Sequence, residues 1–477
     1  MRVRNLASAA AALLVAACTH PVMPESQPKL DIPKTWAEVD GKSNMRGERW
    51  PDNAWWRQMG CAELSRLVEE GKANNLEIAV AVARVHEAES AARIAGAPLL
   101  PSADVGVDFN KTTGLFGGNG STYASGLVNV GYEVDFWGKN KAGAQAAQAS
   151  LLANRFDRET VALTVTGGIV STYLQVLSLR DQLDIARQNV SNAERVLALV
   201  EAQGRAGAAT TLDLARQRAA VAGQQATVPS LVQQEREAKA ALAILLGKPA
   251  QAFEVNEAGL GNIQLPEVAP GLPSELLSRR PDIRRAEANL QAANANLAKA
   301  RAALFPSIHL SASAGAQSSA LMSLFNTPNL IKNLGVDLVA PIFDAGRLDS
   351  ERDMAMAQKQ ELLHVYQSTV LNAFAEVDNA LGQIHSLTEQ AQLKQTELEQ
   401  ASVAFELSER RYRDGAEDLK TVLDTQRTLS SVQNEMGQLK LRRLKAAVQL
   451  YKTLGGGWQD DSAHDRSLLA PQAAMTR

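Results

Sequence analysis

Apolar residues recur at alternating three- and four-residue steps through the middle of the chain: Val176, Leu179, Leu183, Ala186, Val190, Ala193, Leu197 and Val200. That stepping is the seam of a coiled-coil helix. Adding 208 lands on Ile384, Leu387, Ala391, Lys394, Leu398, Ala401, Phe405 and Ser408, six of them apolar. Local strings recur too: Leu99-Leu100-Pro101-Ser102 as Leu304-Phe305-Pro306-Ser307, and Arg205-Ala206-Gly207-Ala208 as Arg413-Asp414-Gly415-Ala416, at offsets of 205 and 208. The chain reads as two copies of one unit, residues 61–265 and 266–458. Each copy predicts a helix (61–96 and 274–303), two strands, a long helix (139–203 and 348–412), a glycine turn and a returning helix (208–247 and 416–455). At 1.5 Å per residue the longest helices reach about 100 Å, more than a globular domain needs. Alanine-rich runs such as 142–149 allow helices to approach closely. Taken alone, the helices suit a soluble coiled-coil rod equally well.

The extended segments alternate with period two. Residues 103–110 set Val105, Val107 and Phe109 against Asp104, Gly106 and Asp108, and 127–135 set Val128, Val130, Tyr132 and Val134 against Asn129, Gly131, Glu133 and Asp135. In the second copy, 307–315 oppose Ile308, Leu310, Ala312 and Ala314 to Ser307, His309, Ser311 and Ser313. Residues 333–340 oppose Leu334, Val336 and Leu338 to Asn333, Gly335 and Asp337. Such alternation suits a transmembrane β-strand, one face in lipid and one toward a wet lumen; a soluble sheet packed on one face gives the same pattern. The connecting segments 111–122 and 317–329 are small or polar and suit an exposed rim. Four strands cannot seal themselves in hydrocarbon, where unpaired backbone groups at open edges are costly, and common barrels start at about eight strands. Membrane-spanning strands here must be pooled between copies, and three copies supply twelve.

The first residues favour the membrane reading. Arg2 and Arg4 precede an apolar run that ends in Leu14-Val15-Ala16-Ala17-Cys18, the order of a secretory signal over residues 1–17. The cysteine after a small pair resembles the bacterial lipobox, whose thiol is diacylated; Thr19 rather than Asp behind it implies sorting to the outer membrane. Pro21, Pro24, Pro28 and Pro33 then suit an extended tether over 18–60. The longest apolar stretch, 13 residues at 6–18, falls short of the roughly 20 a membrane helix needs, so no such helix is expected. Lys+Arg number 49 against Asp+Glu 52, and without a long basic run nucleic acid is not an expected partner. The 2 cysteines and 6 histidines show no metal-ligand or catalytic spacing. Cys61 reads as a buried thiol and His309 as a polar lumen residue. No metal and no cofactor are expected beyond covalent lipid on Cys18. The polar tail 459–477 reads as disordered.

Several strings resemble the TolC-type outer-membrane factors of tripartite efflux pumps, in their lipid-anchored branch. They are Trp55-Trp56-Arg57-Gln58, the run from Gly271-Leu272-Pro273-Ser274-Glu275-Leu276-Leu277 through Ser278-Arg279-Arg280-Pro281-Asp282-Ile283, Phe374-Ala375-Glu376-Val377-Asp378-Asn379-Ala380-Leu381, and Arg411-Tyr412-Arg413-Asp414-Gly415. The resemblance runs from about residue 30 to 458. It implies an α+β membrane protein: a duplicated unit with four transmembrane β-strands per chain, a twelve-stranded barrel shared by a homotrimer, and long coiled-coil helices forming a periplasmic tunnel. Its implied partners are outer-membrane lipid, a periplasmic adaptor (membrane fusion protein) and a proton-driven inner-membrane transporter. It implies a passive conduit without catalytic residues.

The resemblance also implies roles at the tunnel tip. Asp213, Asp424 and Tyr412 match aperture positions, and Gly207, Thr211, Leu212, Gly415 and Leu419 fall on adaptor-contact tips. Three copies of each carboxylate around one axis would favour cations; the two acids also suit the first turns of helices, favoured by the dipole. Some members carry a basic latch residue two positions after the second tip glycine. Glu417 stands there, leaving Arg205, Arg413, Arg216 or Arg218 as substitutes. A type I protein-secretion channel and a soluble periplasmic adaptor or scaffold remain alternative functions.

Overall fold

The computed structural model describes residues 32–33, 35–36, 54–112, 121–266, 273–319, 329–456 and 458. The chain divides into two compact units, 1–32 and 33–477, and every described residue except Ile32 belongs to the second. The signal segment 1–17, Cys18, most of the tether, and the tail 459–477 lie outside the described residues.

The elements run α1 (Ala62–Asn74), α2 (Leu76–Gly96), β1 (Ser102–Thr112), β2 (Ser121–Val134), α3 (Lys139–Arg205), α4 (Thr211–Leu245), a single turn (Leu276–Arg279) and α5 (Pro281–Ala302), then β3 (Ser307–Ser318), β4 (Asn329–Val339), α6 (Arg347–Arg413) and α7 (Leu419–Thr453). The duplication is visible residue for residue. Helices α3 and α6 both have 67 residues, and α4 and α7 both have 35. Both 67-residue helices start under a carboxylate: Asp135 accepts from the backbone N–H groups of Asn140 and Lys141, at 2.9 and 2.7 Å, and Asp344 from those of Gly346 and Leu348, both at 3.0 Å.

Three expected elements are corrected. The helix expected over 61–96 breaks at Asn75, whose backbone is extended and whose side chain accepts from the N–H groups of Glu77 and Ile78; an asparagine there starts a new helix instead of continuing the old one. The helix expected over 274–303 breaks at Arg280, held extended (φ −87°, ψ 123°) because the ring of Pro281 crowds the preceding residue out of helical geometry. The tether expected to reach residue 60 gives way earlier. Trp55–Met59 forms a 3-10 turn with Trp55, Trp56 and Met59 buried. By length and composition one stretch of α3 is apolar enough to cross a membrane, against expectation, but half of it is buried inside the molecule.

That buried stretch belongs to the main core. Val165, Ile169, Val170, Tyr173, Leu174 and Leu177 of α3 pack against Leu64 and Leu67 of α1, Leu242 of α4 and Leu246 just past its end, and Leu444, Val448 and Tyr451 of α7. Phe253, Val255, Leu260 and Ile263, from the segment joining the two copies, close it. Trp55 stacks on Tyr451 at 4.7 Å, and the Tyr451 hydroxyl donates to Gln58. This gives the Trp-Trp-Arg-Gln string a packing role. Cys61 is buried as expected; its sulfur accepts from the Leu64 N–H and lies 3.3 Å from the Tyr173 hydroxyl. Glu63 accepts from the backbone N–H groups of Asn256 and Glu257 and from Tyr173. Burial works to raise its pKa, and those hydrogen bonds together hold it below the usual carboxylate value.

Candidate functional site

The four strands form one antiparallel sheet in the order β1-β2-β3-β4. The register puts Val105 opposite Val128, Val128 opposite Ala314, Val130 opposite Ala312, and Ala312 opposite Leu334. One face is therefore apolar except at the β4 edge, where the Val105–Val128–Ala314 row ends in Lys332. Its side chains are open in the single chain: Val105 is 74% exposed, Leu334 91% and Val336 72%. The other face carries Asp104 bonded to Asn129 at 2.9 Å, Asn333 near Ser313, and His309 near Ser307. Strands β2 and β4 begin earlier than the alternation indicated, at Ser121 and Asn329, because the ladder continues through small and polar residues (Lys111 pairs with Thr122, Thr112 with Ser121). The edges, β1 and β4, have no partner strand among the described residues.

All four helices entering or leaving the sheet, α2, α3, α5 and α6, join it at one end, and α3 and α6 run about 100 Å away from it. They end in two matching turns. Gly207 and Gly415 take φ of 75° and 74°, the left-handed conformation that closes a helix C-terminus. The N–H of Ala208 bonds to the Gln203 carbonyl and that of Ala416 to the Arg411 carbonyl, both at 2.8 Å.

Beyond the turns the two tips are capped in mirror fashion. Thr210 caps α4: its hydroxyl accepts from the Asp213 N–H, while the Asp213 carboxylate accepts from the Thr210 N–H and hydroxyl at 3.0 and 2.7 Å. At the second tip the acid is the cap, and Asp418 accepts from the N–H and hydroxyl of Thr421 at 2.9 and 2.8 Å. The Thr210 side chain and then its backbone hold Asp213 below the usual carboxylate pKa, and the Thr421 bonds do the same for Asp418. Sequence reasoning missed Thr210 and Asp418; the available signals were the Thr-x-x-Asp spacing of a capping box at the first tip and an aspartate just before the helical run at the second.

The expected aperture residues separate. Asp213 is engaged in its cap. Asp424 lies in the second turn of α7, not the first, is exposed, and makes no side-chain bond among the described residues. Tyr412 and Leu419 are buried, in a cluster with Val196, Val200, Phe405 and Val422; burial, then the charge of Asp213, pushes the Tyr412 hydroxyl up. Within one chain these two are supports under the tip. Gly207, Thr211, Leu212 and Gly415 are exposed, Leu212 by 56%.

The two tips are joined by a pair outside the expected set. Arg195 of α3 binds both oxygens of Glu409 of α6 at 3.2 and 3.0 Å, and Arg413 reaches the same carboxylate at 3.2 Å. Arg218 pairs with Glu201, linking α4 to α3, and Glu417 lies 3.6 Å from Arg411. Arg205 and Arg216 form no ion pair among the described residues.

An open sheet with one apolar face, carried on helices of this length, is what the comparisons with known proteins match. The family model described as outer membrane efflux protein matches residues 67–248 and 272–456. A pyoverdine export outer membrane protein, OpmQ of Pseudomonas aeruginosa, is 45% identical over 474 residues, 97% of this chain and 98% of the relative. A probable outer membrane lipoprotein, SilC of Salmonella typhimurium, is 28% identical over 95% of this chain and 99% of its own length. A solved structure of a membrane protein from Pseudomonas aeruginosa superposes with a TM-score of 0.83 at 28% identity, covering 91% of this chain and 96% of that one. This chain belongs to the outer membrane efflux protein family, whose members are channels of the outer membrane and not enzymes.

Proposed function

We propose that the protein is the exit duct of a tripartite efflux pump: a homotrimer whose twelve pooled strands make one barrel and whose long helices make a periplasmic tunnel. The observation that carries this is the four-stranded sheet with two open edges and one apolar face. Such edges are intolerable in hydrocarbon unless other copies pair with them. Its partners would be a periplasmic adaptor, seated on the exposed tips around Gly207 and Gly415, and a proton-driven inner-membrane transporter. Small molecules are the proposed cargo. The relative named for pyoverdine export matches almost end to end, so a siderophore of that type is the first cargo to test. Reconstitution in planar bilayers tests the duct itself: stepwise ion conductance from a trimer is expected, and a non-conducting monomer would overturn the reading.

The lipid anchor on Cys18 is supported by the small-residue string before it and by the relative named as a lipoprotein. Trp36 meets Phe374 edge-on at 6.4 Å, 27 residues along α6 from Arg347, or about 40 Å below its start. The 18 residues from Trp36 back to Cys18 span up to about 60 Å when extended, enough to reach the inner leaflet. Cys18→Ser is expected to remove acyl mass from the mature N-terminal peptide while leaving the fold intact; mass spectrometry checks it.

Asp424 is proposed to line the closed mouth. It has no side-chain partner among the described residues, so three copies near one axis would repel one another and attract cations. Asp424→Ala in the reconstituted trimer is expected to weaken cation preference and to lower cation conductance by roughly twofold, because the charge that gathers cations at the mouth is gone. Unchanged conductance and selectivity would remove Asp424 from the gate. Thr210→Ala, by contrast, is expected to act through stability, loosening the first tip by about 1 kcal/mol, read as faster amide exchange over α4's first turn.

A further inference from the structure

At the end of the sheet where all four helices join it, large apolar side chains stand open: Ile94 (73%), Leu100 (71%), Phe136 (70%), Ile342 (96%) and Phe343 (90%). Trp137 is among them, stacked on Phe305 at 4.7 Å and donating from its indole N–H to the Pro306 carbonyl. Amphipathic rings at such a level belong to a membrane–water boundary. Directly beyond them, the sheet-proximal turns of three of the four helices, α2, α3 and α5, carry basic residues, while that of α6 holds Asp349. Arg93 ends α2, Lys299 and Arg301 end α5, and Lys139 and Lys141 begin α3.

The helix dipole explains only part of this. Cations in the last turn of α2 and α5 are favoured by it, but Lys139 and Lys141 sit at a helix N-terminus, where the dipole repels them, and the first turn of α3 holds no acid. Apart from Asp337, exposed on the polar face of β4, the nearby carboxylates are committed elsewhere. Glu133 pairs with Lys139, Asp135 and Asp344 cap backbone N–H groups, and Asp349, Glu351 and Asp353 pair with Arg347 and Arg352 on α6 itself. Lys141, Lys299 and Arg301 are exposed and pair with no carboxylate among the described residues, and the Lys299 side chain passes over Gly143 in the first turns of α3.

We infer that this collar binds the anionic phospholipid headgroups of the inner leaflet, with Trp137 and its apolar neighbours in the acyl boundary and Lys141, Lys299 and Arg301 on the phosphates. The inference rests on the strands' lying in the membrane. Cations one turn below an aromatic belt meet headgroup phosphate at the depth where the potential of anionic lipid is strongest, and an ammonium there gains a partner that no described carboxylate supplies. The collar would fix the depth of the barrel and favour anionic lipid around it.

The test uses the full-length protein in phosphatidylethanolamine vesicles that carry, at equal mole fraction, either brominated phosphatidylglycerol or brominated phosphatidylethanolamine. The fluorescence lost is compared with that of Trp137→Phe, which isolates the signal of Trp137. Quenching of Trp137 is expected to be about threefold stronger with the anionic lipid and to fall to parity in roughly 1 M salt. The triple variant Lys141→Gln, Lys299→Gln, Arg301→Gln is expected to show parity at low salt while still running as the wild-type oligomer on unheated gels. Should that variant fail to assemble, the salt titration of the wild type decides alone. Equal quenching by both lipids at low salt would overturn the headgroup preference and leave the membrane position standing. No quenching of Trp137 by either lipid would overturn both, as would a neighbouring copy covering the collar.

Discussion

Arg280→Ala is expected to destabilise the protein by about 3–5 kcal/mol, the cost of stripping one partner from a buried ion pair. The Arg280 side chain is only 9% exposed and each of its three nitrogens is engaged: Nε and Nη2 reach the two oxygens of Asp282 at 3.0 and 2.6 Å, and Nη1 reaches the Thr453 carbonyl at 3.0 Å and Glu376 at 2.8 Å. One guanidinium thus ties the start of α5 to the end of α7 and to the middle of α6. Asp282 would lose its counter-charge while remaining largely buried, whereas Glu376, 48% exposed, would return to water at little cost. Three strings that seemed unrelated in sequence meet here: Arg-Arg-Pro-Asp-Ile, Phe-Ala-Glu-Val and the C-terminal Gly455 turn, which passes so close that a Cβ on Gly455 would lie 2.6 Å from the Arg279 carbonyl.

The same site carries a pH dependence of defined sign. Burial alone would raise the Asp282 pKa, and the hydrogen bonds and charge of Arg280 outweigh it, so the folded value lies below the ordinary 3.8. A depressed folded pKa stabilises above the unfolded value and is lost as pH falls through the folded one. The wild type should therefore lose this contribution only below about pH 4. In Arg280→Ala, burial is opposed only by the Ile283 N–H and the charge of Arg285, so the folded pKa rises relative to the wild type and protonation relieves more of the burial cost. The stability gap between the two proteins should narrow as pH falls from about 7 toward 4. Guanidinium unfolding of the solubilised protein, followed by its helical far-ultraviolet signal, checks both points. A gap that stays constant across that range would show that Arg280 contributes through packing alone.

The duplication was legible almost to the residue, because a shared 208-residue offset constrains both copies at once, and α3 and α6 end within two residues of where the heptads and glycines put them. The helix breaks at Asn75 and Arg280 were not read, since apolar periodicity runs through both and only the capping asparagine and the pre-proline residue mark them. The starts of β2 and β4 were missed for the opposite reason. There the backbone ladder holds the strand without help from alternating side chains. At the tip, residue type leaves two roles open. Asp213 suits both a mouth carboxylate and a first-turn acid, and within one chain its carboxylate completes a cap, while Tyr412 and Leu419 lie in the local core, which residue spacing does not distinguish from a mouth.

Leu334→Arg is expected to abolish assembly, whereas Asn333→Arg, one residue away, should be tolerated. Leu334 is the central residue of the eleven in β4 and stands on the apolar face, 91% exposed in the single chain; Asn333 points to the other face, with its amide 3.4 Å from Ser313. In water the two positions would accept arginine about equally, because a free side chain on an exposed strand is already solvated. In a bilayer they differ, since arginine at the midplane of a barrel's lipid face costs about 2–4 kcal/mol per copy, and a trimer bears that cost three times with no alternative partner for the guanidinium. A lumen-facing arginine stays hydrated and changes selectivity instead, so Asn333→Arg should assemble and conduct with weakened cation preference. The fraction of protein running as a heat-dissociable oligomer in outer-membrane extracts reads the first outcome, and reversal potential in planar bilayers reads the second. Equal recovery of the two variants would mean that the apolar face does not meet lipid, and the argument for pooling strands between copies would fall with it.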